Sequence, residues 1–156
     1  MNINIKITEY SSHKELSSKD QELVAIAISQ LKTSHSPYSN FSVGASVRLE
    51  NDVIWGGSNQ ENSSYPVGIC AERVVLSIAS TQSKGHAVNT MVVVYIDPKG
   101  NHDSPLAPCG MCRQAIREQT LRQKKAIKII LTTKHGKTLI LNNADDLLPL
   151  SFTLDK

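Results

Sequence analysis

Nowhere does the chain carry the roughly 18 consecutive apolar residues that a membrane span requires. Its first residues, Met1 to Ile7, alternate polar and apolar side chains and lack the continuous apolar stretch of a signal peptide. The expectation is a cytoplasmic protein with no membrane partner. Charge of one sign is not blocked anywhere. The formal net charge is +3, and pairs such as Lys124-Lys125 read as solvated helix ends, so no nucleic-acid partner is expected. A Gly-rich phosphate loop and an Arg cluster are both missing. Aromatics amount to only 4%, with Phe41 and Phe152 the only phenylalanines. Cysteine is scarce too. Three cysteines cannot all pair, and in a reducing compartment that odd count points to metal or catalysis rather than disulfides.

What is present is a globular balance: 156 residues, 40% apolar and 20% charged, enough for one domain over residues 1–156. Residues 1–10 read as a strand with Ile3, Ile5 and Ile7 on one face, and residues 1–15 as an N-terminal extension. Ser18 and Gln21 form a capping box opening a helix that carries Leu23, Ile26, Ala27 and Leu31 and ends before Pro37. Residues 41–50 alternate through Val43, Ala45, Val47 and Leu49, and Asn51-Asp52 turns the chain into Val53-Ile54-Trp55, a β-hairpin. A polar, Gly-bearing loop is expected over 56–69 and a helix over 70–80. Further along come a buried strand over 91–96, a Pro-rich loop to Pro108 and a helix over 109–120. Strands over 127–132 and 137–141 and a short helix near Asp145 complete the chain. This order predicts an α/β fold, a single mixed β-sheet sandwiched between helices, with strand order left open.

The cysteines are placed informatively. Cys70 opens one predicted helix, and Cys109 and Cys112 share the first turn of another, three residues apart on one face. Helix N-termini favour thiolate over thiol. Three converging thiolates without an obvious fourth ligand describe a catalytic zinc site, since structural sites close with four. Other readings are a structural site completed by His13, His35, His86, His102 or His135, a redox dithiol at Cys109-Gly110-Met111-Cys112, or unrelated core cysteines. Glu72, two residues after Cys70, is placed to work beside a metal without ligating it.

Cys70-Ala71-Glu72 followed by Pro108-Cys109-Gly110-Met111-Cys112 resembles the zinc deaminase signature in its three-cysteine form. The likeness extends to Ser36-Pro37-Tyr38-Ser39-Asn40-Phe41-Ser42-Val43-Gly44-Ala45, to Asn59-Gln60-Glu61-Asn62-Ser63-Ser64-Tyr65, and to Leu147-Leu148-Pro149-Leu150-Ser151-Phe152. Taken together, residues 20 to 152 resemble the small, homotetrameric cytidine deaminases. Leu150 stands where that family commonly has a small residue.

The resemblance implies hydrolytic deamination of cytidine and 2′-deoxycytidine in pyrimidine salvage. Zinc acidifies water, attack falls on C4 of cytosine, and Glu72 accepts the water proton, passes it to N3 and later helps protonate the departing ammonia. It implies contacts to the sugar hydroxyls from Asn59 and Glu61, an aromatic wall from Phe41, and further substrate contacts from Ala71, Tyr65 and Phe152. It also implies a homotetramer in which Tyr65 and Phe152 reach a neighbour's site. Three thiolates leave a divalent ion in net negative surroundings, so Arg73 is expected to donate hydrogen bonds to them. A carboxylate at Glu61 argues for the free nucleoside over the nucleotide. Alternatives are deamination of another amino-pyrimidine such as a nucleoside antibiotic, and a non-enzymatic zinc-binding module.

Overall fold

The computed structural model describes residues 2–100 and 104–154. Its strands are β1 (Thr8–Tyr10), β2 (Ser42–Leu49), β3 (Ile54–Ser58), β4 (Val88–Ile96), β5 (Lys128–Thr133) and β6 (Thr138–Leu141). Its α-helices are α1 (Ser18–Gln30), α2 (Ala71–Gln82) and α3 (Gly110–Gln123). The strands form one mixed sheet in the order β1-β6-β5-β4-β2-β3. Only β4 and β5 run parallel, and α3 makes the crossover between them. The α/β sandwich read from the sequence is therefore the fold, and the strand order it left open is now set.

Side-chain alternation along the central strands divides the core in two. Val92 and Val94 of β4, with Ile130 and Ile140, pack under Leu23, Val24, Ala27 and Leu31 on one face. Met91, Val93 and Tyr95 point to the other face, against Val75 and Ala79 of α2 and Ile116 of α3. No helix of the described residues is long and apolar enough to cross a membrane.

Three local expectations need correction. The N-terminal strand shrinks to three residues, and Ile3, Ile5 and Ile7 are 54%, 44% and 52% exposed. Its partner β6 explains this: Thr8 faces Ile140, and the partner strand ends one residue later, at Leu141. The cap of α1 is Ser17, not Ser18; its hydroxyl accepts the Asp20 N–H at 3.2 Å. Gln21 instead reaches back to the carbonyls of Lys14 and Leu16, at 2.9 and 2.8 Å. Finally, Gly56, Gly57 and Ser58 belong to β3 rather than to a loop. A Cβ at Gly57 would meet Val74 Cγ1 and the Val75 backbone N at 3.0 Å, so the glycine lets α2 lie close on the strand.

Gly44 plays the same part on the opposite face. A Cβ there would stand 2.1 Å from the Ala27 carbonyl oxygen of α1. That atom is helix backbone and cannot swing aside. Gly44→Ala should therefore lower the unfolding free energy by about 3 kcal/mol, read as a drop in the urea midpoint at unchanged slope.

Candidate metal centre and active site

Antiparallel register sets Ser42 opposite Ile96 and Gly44 opposite Ser58. The segments before β2, after β3 and after β4 therefore all open at one end of the sheet. The second of these leads to Cys70 and the third to Cys109. Both cysteines are helix N-caps with extended backbone, and neither helix start carries a side-chain capping hydrogen bond. Each helix thus begins on sulfur where serine or aspartate usually supplies an oxygen, and its first-turn N–H groups favour negative charge there.

Cys112 joins them from the first turn of α3 and is fully buried, while Cys70 is half-buried and Cys109 exposed. The sulfurs of Cys70 and Cys109 lie 3.9 Å apart and those of Cys109 and Cys112 3.5 Å apart, and all three fall within 4.8 Å of one another. Tetrahedral zinc with bonds of about 2.3 Å places its sulfur ligands about 3.8 Å apart, so the trio fits the ion in donor type and spacing. Among the described residues no other group of three such donors could hold a metal, and His13, His35, His86 and His135 are not part of this one. His102 lies outside the described residues.

Charge within the cluster is unevenly held. The Cys70 thiol is brought down to about 6, chiefly by accepting the Cys112 S–H, against opposition from burial and from Glu72. Cys112 is pushed up, chiefly by donating to Cys70 and then by burial. Glu72 is 4% exposed, and burial pushes its carboxyl up against weaker pulls from its own backbone N–H and the Cys112 thiol. Burial thus gives this carboxyl, beside the thiols, a higher affinity for a proton than a solvated glutamate has.

The structure brings most of the residues singled out in the sequence to one place. Phe41, Asn59, Glu61, Tyr65, Cys70, Glu72 and Cys109 line a single cleft of about 350 Å³, a volume typical of small-molecule sites. A larger hollow of about 500 Å³ between Lys84 and Arg122 lies at the C-terminal ends of α2 and α3 and holds no thiol. Phe41 stacks on Tyr95 with ring centroids 5.4 Å apart and an interplanar angle of 14°, so its ring is braced from behind. Asn59 is committed to the fold: Oδ1 accepts from Val43 N at 2.8 Å and Ser34 Oγ at 2.6 Å, while Nδ2 donates to the Phe41 carbonyl at 2.9 Å. One amide hydrogen remains for a ligand. The Glu61 carboxylate is drawn below its ordinary range, first by the Ser39 hydroxyl and then by the Tyr38 N–H.

Other residues stand apart. Ala71 is wholly buried, and Phe152 is 68% exposed and not in the cleft wall. Among the described residues Arg73 makes no hydrogen bond to a thiol; it acts on Cys70 through its charge alone. Leu150 adopts φ +56, a left-handed conformation that glycine takes without strain.

Two contributors went unread in the sequence although both sit inside segments that drew attention. Ser39 bonds Glu61. Arg113 donates to the Pro108 carbonyl at 2.8 Å and the Leu147 carbonyl at 2.9 Å, fastening the approach to Cys109 against the C-terminal segment. Hydrogen-bonding partners this distant in the chain leave no mark in local spacing.

A mixed sheet with thiols gathered at two helix starts, beside a buried carboxylate and an open cleft, defines a zinc-binding hydrolase. The chain belongs to the cytidine and deoxycytidylate deaminase family, whose zinc-binding region matches residues 17–128. It is 40% identical over 95 residues to the cytidine deaminase of Mycoplasma genitalium, which covers 61% of this chain and 68% of that protein. The crystal structure of cytidine deaminase from Burkholderia pseudomallei superposes with a TM-score of 0.74 at 31% identity, over 88% of this chain and all (100%) of the other. A blasticidin-S deaminase of Bacillus cereus is 28% identical over 142 residues, 88% of this chain and 95% of that protein.

The sulfur spacing sets an expectation for metal content. The purified chain should carry one zinc per chain by atomic absorption, and Cys112→Ala, which removes the buried member of the trio, should retain under about a tenth of it.

Proposed function

We propose that this chain catalyses the hydrolytic deamination of cytidine and 2′-deoxycytidine to uridine and 2′-deoxyuridine, releasing ammonia. The observation that carries the proposal is that Cys70, Cys109 and the buried Glu72 line the same cleft as Phe41, Asn59 and Glu61, with the buried Cys112 sulfur completing the thiol trio. Cys70, Cys109 and Cys112 would hold zinc, which supplies a nucleophile at neutral pH by acidifying water. Glu72 takes up one proton from the attacking water and delivers it to ring N3, then carries a second, from the hydroxyl formed at C4, to the departing amine, work for which its raised carboxyl is suited. Phe41, held by Tyr95, offers its face to the pyrimidine. Asn59 and Glu61 bond the sugar, and Ala71, buried at the first residue of α2, contributes through its backbone. Arg73 offsets part of the thiolate charge from a distance.

The sugar side argues for a free nucleoside. An ionised Glu61 accepts from hydroxyls and repels phosphate, which matters in a family whose description covers both cytidine and deoxycytidylate. A second reading, a cytosine-bearing nucleoside antibiotic, is supported by the longer span of similarity to the blasticidin-S deaminase. A non-enzymatic zinc module is disfavoured by the buried carboxylate and the cleft.

One panel tests these readings. Cytidine and deoxycytidine should lose their absorbance on incubation with the protein, CMP should be turned over about a hundredfold less efficiently, and Glu72→Gln should lower kcat about a thousandfold or more with zinc retained. Bound zinc without turnover of any cytosine nucleoside defeats the proposal, and turnover confined to the antibiotic moves it to the second reading.

We place the protein in pyrimidine salvage in the cytoplasm, acting as one domain over residues 1–156. We further propose a homotetramer with shared sites. Tyr65 and Phe152 are 76% and 68% exposed, an unusual setting for aromatics in a chain with so few, and Met111 and Leu150 add 65% and 86% exposed apolar side chains. Sedimentation should give four chains per particle, and Phe152→Ala should weaken both assembly and turnover. A fully active monomer refutes the shared site.

A further inference from the structure

We infer that Ser39 is a positioning residue whose hydroxyl sets the Glu61 carboxylate for a single sugar hydroxyl and couples it to the Phe41 wall. The inference rests on the roles proposed above for Glu61 and Phe41 and adds what holds them in register. Ser39 Oγ accepts the Phe41 N–H at 3.0 Å. A hydroxyl has one hydrogen, and here it is donated to Glu61 Oε1. The other carboxylate oxygen, Oε2, accepts the backbone N–H groups of Tyr38 and Ser39 at 2.9 and 3.3 Å. A carboxylate offers about four lone-pair sites. Three are taken by the turn, and the fourth, on Oε1, is left for a ligand in the cleft that Glu61 lines.

The turn is shaped to make this possible. Asn40 adopts φ +55, a left-handed conformation that asparagine tolerates, and its N–H closes on the Ser36 carbonyl at 2.9 Å. That geometry brings Ser39 Oγ between a backbone N–H of the aromatic wall and a carboxylate 22 positions away in the chain. One hydroxyl thus ties the group that meets the base to the group that meets the sugar. Its loss frees Glu61 to turn about its own side chain, while the Phe41 ring stays stacked on Tyr95.

Steady-state kinetics on cytidine and on 2′,3′-dideoxycytidine, which lacks both ring hydroxyls, test this. Ser39→Ala should raise KM for cytidine about tenfold with kcat within about twofold, and should move KM for the dideoxy substrate by less than about twofold. Ser39→Thr, which keeps the hydroxyl, should bring KM for cytidine back to within about threefold of the wild type. A merely structural serine would shift both substrates alike, and that result overturns the inference, as does an unchanged KM for cytidine. Glu61→Gln in the same assay separates the two levels. If it raises KM for cytidine while Ser39→Ala does not, only the Ser39 inference falls. If it leaves KM unchanged, Glu61 is not the sugar acceptor and both fall.

Discussion

Two helix N-termini point at one spot, and each arrives with unpaired N–H groups and partial positive charge. Cysteine sulfur at the caps of α2 and α3 meets that demand with atoms that can also ligate a cation. Much of the surrounding fold serves to bring these ends together. The register of β2 against β3 and β4 opens their loops on the same side. Gly57 lets α2 settle on β3, and Arg113 fastens the segment leading into α3. The C-terminal segment is laced to the same helix through Arg117, which bonds Asp145 at 2.5 Å and Ser151 Oγ at 3.1 Å.

The cleft separates two carboxylates by environment. Glu72 is buried, and loss of water raises its affinity for a proton. Glu61 stands in a polar turn whose hydroxyl and amide donors hold it ionised. In the function proposed above, one residue type would therefore supply both a proton carrier and a fixed hydrogen-bond acceptor. The difference is set by what surrounds each group, a recurrent way to divide acid-base labour between identical side chains.

Much of this was legible in the chain itself, for identifiable reasons. The thiol trio could be read because Cys70 and Cys109 fall at helix starts and Cys112 one turn on, a short-range pattern. The β2–β3 hairpin and the strand carrying Met91 to Ile96 could be read from alternation and from a continuous apolar run. Where the reading failed, a distant partner decided the outcome. The N-terminal alternation Ile3-Ile5-Ile7 looked like a strand, but β6 is too short to pair with it. Gly56 and Gly57 looked like a loop because the helix pressing on them is invisible in the local sequence. Ser39 was one polar residue among several until Glu61 folded against it.

The two ligand-bearing helix starts are 39 positions apart, and the central strand β4 runs between them. A cation shared by Cys70 and Cys109 would therefore close a loop of the chain, as a covalent cross-link does. The closure is already satisfied in the folded protein but restricts the denatured ensemble, and that entropic cost grows only slowly with loop length. An ion that binds only the assembled trio also draws the folding equilibrium toward the native state by mass action. The metal would then act as a clasp around the middle of the sheet as well as a reagent at one end of it.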